Sequence, residues 1–481
     1  MEHESTGGGR LSNKCVRRPS GAFERQKISQ PSGTRSLKIM AVASEIVFAA
    51  IFLCPIGSFA QSSTMFRGDL AHTGVYGSAA AKNIKHILWE FKTGGRIFSS
   101  PVVADGIVYV GSDDHSLHAI DARKGREIWK FQTEANVNST PAVANGSVYV
   151  LSLDGNAYSL DARTGKLQWK FQSAGESRLN SPGLYGLAPS REVIPDVWDF
   201  FLSSPAVDGG LVYFGSGDHN VYALDANTGE FRWKYLTGDV VHSSPAIVDG
   251  VLYIGCWDGA LYALNAKTGK LAWKFATGSD PTHFMQGIPG SASIADGMVV
   301  FGSRDNNIYA LDANSGKELW RQGNHSSWVI SSPAIENGVV YVTTSDTMKF
   351  RALELKTGRS LFDLTYMAYS FSSPAVATGH AYFGTFDGLV YDVDLTSRQF
   401  RGQFRVQAAL NHRELLTEDG HLNSAAIYGP LGADGKPNNT LDATIIGVDR
   451  LLQLGSILSS PAVANGIVYI ASADGAVYAL D

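Results

Sequence analysis

Ser203 to Tyr235 reads SSPAVDGGLVYFGSGDHNVYALDANTGEFRWKY. Forty residues later, Ser243 to Phe275 reads SSPAIVDGVLYIGCWDGALYALNAKTGKLAWKF, and 16 of the 33 aligned positions are identical without a gap. Each copy contains four short apolar runs separated by Asp- and Gly-containing turns, which is the pattern of a four-stranded antiparallel sheet. A sheet this small cannot fold alone, so the repeat predicts sheets that stack on one another as the blades of a propeller.

The blade count follows from two signals that recur along the chain. A Ser-Ser-Pro-like strand opening occurs eight times, at 99–101, 139–141, 203–205, 243–245, 291–293, 331–333, 372–374 and 459–461. A strand-closing aromatic also occurs eight times, at Trp89, Trp129, Trp169, Trp233, Trp273, Trp320, Phe362 and Phe400. The two series are out of phase, because Trp89 precedes every opening and the last repeat ends at Asp481 without a fourth strand. The sequence therefore predicts an all-β, eight-bladed β-propeller with four-stranded antiparallel blades over 86–481, its ring closed by an N-terminal strand at Trp89.

Three long insertions interrupt the repeats, at 173–202, 276–290 and 406–458. All three fall between the fourth strand of one blade and the first strand of the next. In this blade order such connections share a face with the second-to-third turns. Long loops gathered on one face of a rigid scaffold usually carry function, so we expect this face to be the working one.

The chain ahead of the propeller is interpreted as a disordered leader plus signal peptide at 1–60, followed by an N-terminal extension at 61–85. Arg35 and Lys38 precede an apolar run, and Ser58 and Ala60 supply the small residues of a cleavage site. This pattern predicts a periplasmic or secreted protein with no membrane span in the mature chain. A retained N-terminal anchor and lipidation at Cys54 are the alternatives.

The composition and the absence of certain sequence motifs argue against several classes of function. The formal net charge is −5, which argues against nucleic acid as a partner because phosphate binding needs clustered Lys and Arg. The three cysteines form no CxxC pair and no haem-attachment motif. The chain also has no P-loop, HExxH helix, GxSxG elbow or EF-hand spacing, so hydrolase and kinase interpretations have no basis.

Candidate ligand-binding residues lie on the second-to-third turns, around the mouth of the central funnel. They are Asp114, His115, Asp218, His219, Trp257, Asp258, Arg304, Asp305, Asn306 and Asp387. Under one interpretation each Asp only caps its own turn. Under the other, Arg304 faces an anionic group and several Asp side chains are arranged for a cation. The sequence leaves the presence of a metal unknown and indicates no catalytic residue.

An eleven-residue motif ends at most of the tryptophans, as in ALDANTGEFRW (Ala223 to Trp233) and ALNAKTGKLAW (Ala263 to Trp273). It resembles the tryptophan-docking motif of the PQQ-repeat, or quinoprotein-like, eight-bladed propellers. The resemblance covers 89–481. It implies that structural docking positions are filled by Trp89, Trp129, Trp169, Trp233, Trp273, Trp320 and Phe362.

The resembled family contains both PQQ-dependent alcohol dehydrogenases and cofactor-free scaffolds, such as the propeller that assists outer-membrane barrel assembly. This chain lacks the adjacent cysteines and the haem motif of the enzymes. We therefore expect a monomeric, non-catalytic scaffold of the cell envelope that binds a protein, peptide or other ligand without a cofactor. The alternative is a PQQ- and Ca²⁺-dependent dehydrogenase oxidising an alcohol or sugar at the funnel. Candidate exposed aromatic anchors for a partner are Tyr185, Trp198, Phe200, Trp328, Tyr366 and Tyr369; the alternative is that these side chains pack their own long loops down.

Overall fold

The computed structural model describes residues 64–182, 193–279, 286–430 and 440–481. Over these ranges the chain forms eight four-stranded antiparallel sheets. This confirms the predicted all-β, eight-bladed propeller. The predicted leader and signal peptide lie outside the described residues, as does Tyr185.

Each blade runs from a short innermost strand to an outer edge strand. Blade 1 consists of β2 (Val102–Ala104), β3 (Ile107–Ser112), β4 (Ser116–Asp121) and β5 (Glu127–Gln132), and blade 2 consists of β6 (Ala142–Ala144), β7 (Ser147–Leu151), β8 (Asn156–Asp161) and β9 (Leu167–Gln172). Blade 3 consists of β12 (Ala206–Asp208), β13 (Leu211–Gly215), β14 (Asn220–Asp225) and β15 (Phe231–Leu236), and blade 4 consists of β16 (Ala246–Val248), β17 (Val251–Gly255), β18 (Ala260–Asn265) and β19 (Leu271–Ala276). Blade 5 consists of β20 (Ser293–Ala295), β21 (Met298–Gly302), β22 (Asn307–Asp312) and β23 (Glu318–Gly323). Blade 6 consists of β24 (Ala334–Glu336), β25 (Val339–Thr343), β26 (Lys349–Glu354) and β27 (Ser360–Thr365). Blade 7 consists of β28 (Ala375–Ala377), β29 (His380–Gly384), β30 (Leu389–Asp394) and β31 (Gln399–Arg405).

Blade 8 joins the two ends of the propeller. It consists of β32 (Ala462–Ala464), β33 (Ile467–Ala471), β34 (Ala476–Leu480) and, as its outer strand, β1 (Ile87–Lys92). The register pairs Trp89 with Ala479 and Lys92 with Ala476, antiparallel. The predicted closure of the ring by an N-terminal strand is therefore confirmed.

Tryptophans on the outer strands pack against the next blade in the ring. The indole of Trp233 donates a hydrogen bond to the Ala266 carbonyl at 2.9 Å, and the same bond joins Trp89 to Ala122. The indole covers Gly269, whose φ is +69° and whose Cβ, if present, would lie 2.6 Å from the ring. Glycine is therefore needed at this turn both for its left-handed backbone and for the close approach of the indole.

The junction between blades 7 and 8 has no such tryptophan. At the docking position β31 carries Gly402, which pairs with Asp392, whereas Phe400 lies two residues earlier and packs on Tyr391. The expectation that Phe400 closes this blade like the tryptophans is therefore wrong. The buried side chain of Ile84 lies beside Gly402 instead, so the N-terminal extension fills this junction.

The extension also lines the inside of the ring. We call residues 64–78 the channel segment. Its carbonyls accept backbone hydrogen bonds from innermost strands of successive blades: Thr64 from Val143, Leu70 from Ile247, Ala71 from Ile294, Thr73 from Ile335 and Gly74 from Val376, at 2.6–2.9 Å. The inner edges of these sheets, which would otherwise present unpaired N–H groups, are thus covered by the chain itself.

A ring of hydroxyl groups encircles the channel above this segment. We call it the hydroxyl ring; its members are Ser100, Thr140, Ser204, Ser244, Ser291, Ser332, Ser373 and Ser460. Except at Ser373, the backbone N–H of each member donates to the hydroxyl of the next blade's member, and these seven bonds measure 2.8–3.1 Å. The second residue of the Ser-Ser-Pro opening thus links blades, except in blade 5, where the first residue of 291–293, Ser291, takes this place. The first residue of a regular opening, such as Ser243, donates to its own blade at Gly255.

The insertions lie on the face that carries the second-to-third turns, which we call the upper face. The first contains a small hairpin of β10 (Asn180–Pro182) and β11 (Val193–Pro195). The last contains α1 (Gln407–Asn411), α2 (Ser424–Tyr428) and α3 (Thr440–Gln453). No helix in the described part of the chain has the length and hydropathy needed to cross a membrane.

Candidate functional site at the upper end of the channel

Aromatic side chains close the upper end of the channel. Trp198 and Phe200, from the first insertion, meet Phe371 and Phe386 of blade 7, with ring centroids 5.9–6.4 Å apart. Phe98, ahead of blade 1, stacks on Phe200 at 5.3 Å. Because these residues come from well-separated blades, their cluster lies across the channel rather than beside it.

This packing corrects the expectation of exposed aromatic anchors. Four of the six candidate side chains are less than a tenth exposed, so they pack the loops against the propeller instead of presenting a surface. Tyr369 is half-buried and packs on Phe386. The buried residues are Trp198, Phe200, Trp328 and Tyr366.

Arg304 is fully buried among partners from its own chain. Its guanidinium lies between the indoles of Trp257 and Trp328, at 4.4 Å from each ring centroid, and forms an ion pair with Asp196 of the first insertion. Stacking on two rings and pairing with a carboxylate together compensate a charge that would be costly to bury alone. The cation predicted to face an anionic ligand therefore already faces an anionic side chain.

His242 forms a second buried ionic cluster next to this one. Its Nδ1 lies 2.8 Å from Asp199 Oδ1 and its Nε2 lies 3.0 Å from Glu176 Oε1. Burial by itself lowers the pKa of His242, but the two carboxylates outweigh it and raise this pKa to about 10. The imidazole is thus a permanent cation at neutral pH, and it ties the first insertion to blade 4.

The Asp side chains of the second-to-third turns repeat one set of contacts. Asp218 accepts from the Asn220 N–H at 3.0 Å, from the Tyr222 hydroxyl at 2.5 Å and from the Ala174 N–H at 2.9 Å. Equivalent turn-capping bonds occur at Asp114, Asp258 and Asp305. Each of these carboxylates caps its own turn and also accepts hydrogen bonds from neighbouring groups.

Two of the turn carboxylates have pKa values that are shifted in opposite directions. Burial raises the pKa of Asp114, but hydrogen bonds from His118 and from the Gly94 N–H lower it to about 2. Asp387 is fully buried, and burial raises its pKa although Arg405 lies 3.4 Å away and the Thr385 hydroxyl donates to it. The two groups therefore differ in how readily they ionise.

His115, His219 and Asn306 occupy the left-handed position of their turns, with φ of 66–69°. In other blades this position belongs to glycines such as Gly259, with φ +79°. The carbonyl of His219 accepts from the Thr237 N–H at 2.8 Å, so its backbone is part of the turn. Whether any of these side chains binds a ligand stays a prediction.

The geometry at Arg304 does not fit a quinone cofactor. A quinone would need the guanidinium to face its oxygens, and here two indoles and Asp196 surround it. The cavity beneath the aromatic cluster has a volume of about 40 Å³, compared with roughly 300 Å³ or more for a typical small-molecule site. Among the residues that the structure describes, no group of three His, Cys, Asp or Glu side chains could hold a metal ion.

Sequence reasoning missed the acidic partners of these clusters. Glu176, Asp196 and Asp199 come from the first insertion, and His242 immediately precedes the blade 4 opening. The run Asp196 to Asp199 reads DVWD, and two acids beside an aromatic in a long insertion were the available signal. Their partners could not be assigned because Arg304 lies 108 positions away from Asp196.

The tryptophan-docked blades define the class of this protein, the quinoprotein-like eight-bladed propellers. The family model described as "PQQ_2: Outer membrane protein assembly factor BamB" matches residues 78–194, 195–289 and 285–419. The chain belongs to that family, which confirms the predicted resemblance. No curated protein sequence matches it significantly.

Solved structures of both kinds of family member share the fold. BamB from Moraxella catarrhalis is 16% identical with a TM-score of 0.56, covering 82% of this chain and 96% of that one. A europium-containing methanol dehydrogenase is 15% identical with a TM-score of 0.62, covering 87% and 98%. The quinohemoprotein alcohol dehydrogenase from Comamonas testosteroni is 15% identical with a TM-score of 0.61, covering 87% and 80%. At these identities the likeness shows the fold alone.

Proposed function

We propose that this protein is an exported, non-catalytic scaffold of the cell envelope that binds a protein or peptide partner on its upper face. The observation that carries the proposal is the closure of the funnel mouth. Arg304 is enclosed by Asp196 and two indoles, and the aromatic cluster fills the channel beside it. A funnel mouth closed by side chains in this way is suited to surface contacts with a macromolecule rather than to chemistry on a small substrate.

The third insertion offers the apolar surface for such contacts. Ile445 and Ile446 are adjacent on α3 and are 48% and 49% exposed. Arg450 of the same helix donates to the carbonyls of Ala426 and Ile427, so α3 is held against α2. Fixed apolar side chains on a supported helix can bind without the entropy cost of ordering a loop.

The first experiment compares two variants in cross-linked pull-downs from envelope extract. Ile445→Ser combined with Ile446→Ser removes the apolar pair, while Ile128→Ser is the control because Ile128 is 47% exposed on an outer strand. We expect one partner to be captured by the wild type and the control and lost by the double variant. Capture of the same partner by all three proteins would contradict the proposed face.

The second experiment separates the scaffold from the alternative, a PQQ-dependent dehydrogenase. Purified protein is titrated with PQQ and Ca²⁺ while the melting temperature and dye reduction with alcohols and sugars are followed. A cofactor that binds the folded state raises the melting temperature by mass action. We expect neither a shift nor dye reduction, and a saturable shift with turnover would replace the scaffold by the enzyme.

Export and monomeric state are part of the same proposal. They are supported by the sequence of the first sixty residues and by the closed ring, which pairs the outer strand of blade 8 internally. Cell fractionation with and without residues 39–60, together with light scattering of the mature protein, tests them. Retention of the full chain in the cytoplasm, or a stable dimer, would overturn the respective part.

A further inference from the structure

About half of the residues that line the small cavity in the channel carry a side-chain hydrogen-bond donor. Seven members of the hydroxyl ring border it, with Phe371 and Leu202 above and Phe66 of the channel segment below. Six of these seven hydroxyl oxygens, all but that of Ser460, already accept a backbone N–H from the preceding blade. Their O–H hydrogens therefore remain to be donated, and no described residue accepts them within hydrogen-bond distance. A buried donor without an acceptor is costly, so the cavity favours an occupant that accepts hydrogen bonds.

A buried cation lies close to this ring, although it does not itself border the cavity. Arg67 is 1% exposed, and its Nη2 donates to the carbonyl of Pro333, the residue after the ring member Ser332. Its Nε and Nη1 have no hydrogen-bond partner in the described structure. Asp69, the acidic group that acts on it, is bound by the N–H and hydroxyl of Thr73 instead. An uncompensated guanidinium in the interior calls for a negative charge nearby.

We propose that the channel binds one small inorganic anion of the halide class at the hydroxyl ring, with Arg67 as its counter-charge. A volume of about 40 Å³ suits a monatomic anion accompanied by water and excludes an organic acid. The accompanying water donates a hydrogen bond to Oδ1 of Asn138, a cavity-lining residue whose Oδ1 has no partner among the described residues. The carboxylates nearest the cavity, Asp199 and Glu176, are bound to His242 and do not compete for the hydroxyl donors. The anion would lie among hydroxyl groups from seven of the eight blades.

The test uses the full mature chain and halide salts. Chloride is exchanged for gluconate at constant ionic strength, and crystals soaked in bromide are measured for anomalous scattering. We expect a saturable rise in melting temperature of about 3 °C at about 100 times the dissociation constant, and one bromide peak at the level of the hydroxyl ring. A melting temperature that does not change with chloride, together with water-only density in the channel, would overturn the proposal.

Two neighbouring serines provide the matched variants. Ser244→Ala removes a donor from the ring, whereas Ser243→Ala removes a buried hydroxyl that donates to Gly255 within its own blade. Both should lower the melting temperature, but only Ser244→Ala should weaken the chloride dependence, by about tenfold in dissociation constant for one lost donor. Equal chloride dependence in the two variants would contradict an anion held by the ring.

Discussion

Each end of the channel buries a histidine and an arginine, but the pKa of the histidine is shifted in opposite directions at the two ends. At the upper end, His242 lies between Asp199 and Glu176, and its pKa is raised to about 10. At the lower end, burial and the nearby Arg67 lower the pKa of His72 to about 3. Both imidazoles are almost completely buried. Burial therefore does not decide the charge of these groups; the presence of a carboxylate within contact distance does.

The difference follows from which segment supplies the partners. The first insertion brings three acids to the upper end, whereas the channel segment brings its own Arg67 and His72 to the lower end with one acid, Asp69, whose carboxylate forms no ion pair with either in the described structure. The upper end is thus held by ion pairs and the lower end mainly by backbone hydrogen bonds to the innermost strands.

Asp196→Ala should lower the free energy of unfolding by about 3–5 kcal/mol, because it leaves Arg304 buried without its carboxylate. Urea denaturation measures the loss. Glu318→Ala, which breaks the exposed pair with Arg321, is the control and should cost no more than about 1 kcal/mol. A similar small cost for both variants would show that the upper end is not held by its ion pairs.

His242 should make the protein sensitive to alkali. Its pKa is about 6.5 in the unfolded chain and about 10 in the folded protein, so its stabilising contribution is complete below pH 6.5 and is lost as pH rises through 10. Between pH 6 and pH 9 the wild type should lose about 3 kcal/mol that His242→Gln does not lose. Parallel pH profiles for the two proteins would contradict this charge state.

His72 should have the opposite effect, in acid. Because its pKa is lowered from 6.5 to about 3, the unfolded chain takes up the proton first, and stability falls as pH drops below 6.5. At pH 5 the wild type should be about 2 kcal/mol less stable than at pH 7.5 through this group alone. His72→Gln should abolish that part of the loss in urea titrations. An unchanged acid profile would show that His72 finds a partner on protonation.

The smallest effect is expected at the rim of the upper end. His219 has φ +69°, so His219→Gly should change the free energy of unfolding by less than about 1 kcal/mol, while His219→Val should be clearly destabilising. Thermal melts of the two variants make the comparison. A larger loss for the glycine variant would assign the imidazole a role beyond its turn.

The sequence was sufficient for the fold because its signals are local and repeated. The Ser-Ser-Pro openings, the Gly turns and the tryptophans recur with one period, and the phase between the openings and Trp89 gave the ring closure. The same logic failed at Phe400, because the junction of blades 7 and 8 has no turn to receive an aromatic and is filled by Ile84. A repeat pattern predicts the regular junctions and not the one where the chain ends meet.

The contacts that define the candidate site could not be read from the sequence. The acidic partners of Arg304 and His242 lie in an insertion with no repeat, and Arg67 lies in an extension ahead of the propeller. Each contact joins residues that are distant in the chain and have no fixed spacing. The repeat assigned the candidate residues to the second-to-third turns, but hydrogen bonds such as those of Asp218 to Tyr222 and to the connection at Ala174 required coordinates.

The pairing of β1 with β34 also determines when this protein can finish folding. Lys92 and Asp474 bond across 382 positions, so a ribosome must translate β34 before β1 can join the eighth blade as its outer strand. Until then the nascent chain keeps an open ring and an unsealed channel. A polypeptide that cannot complete its structure early remains available to an export machinery that accepts unfolded substrates.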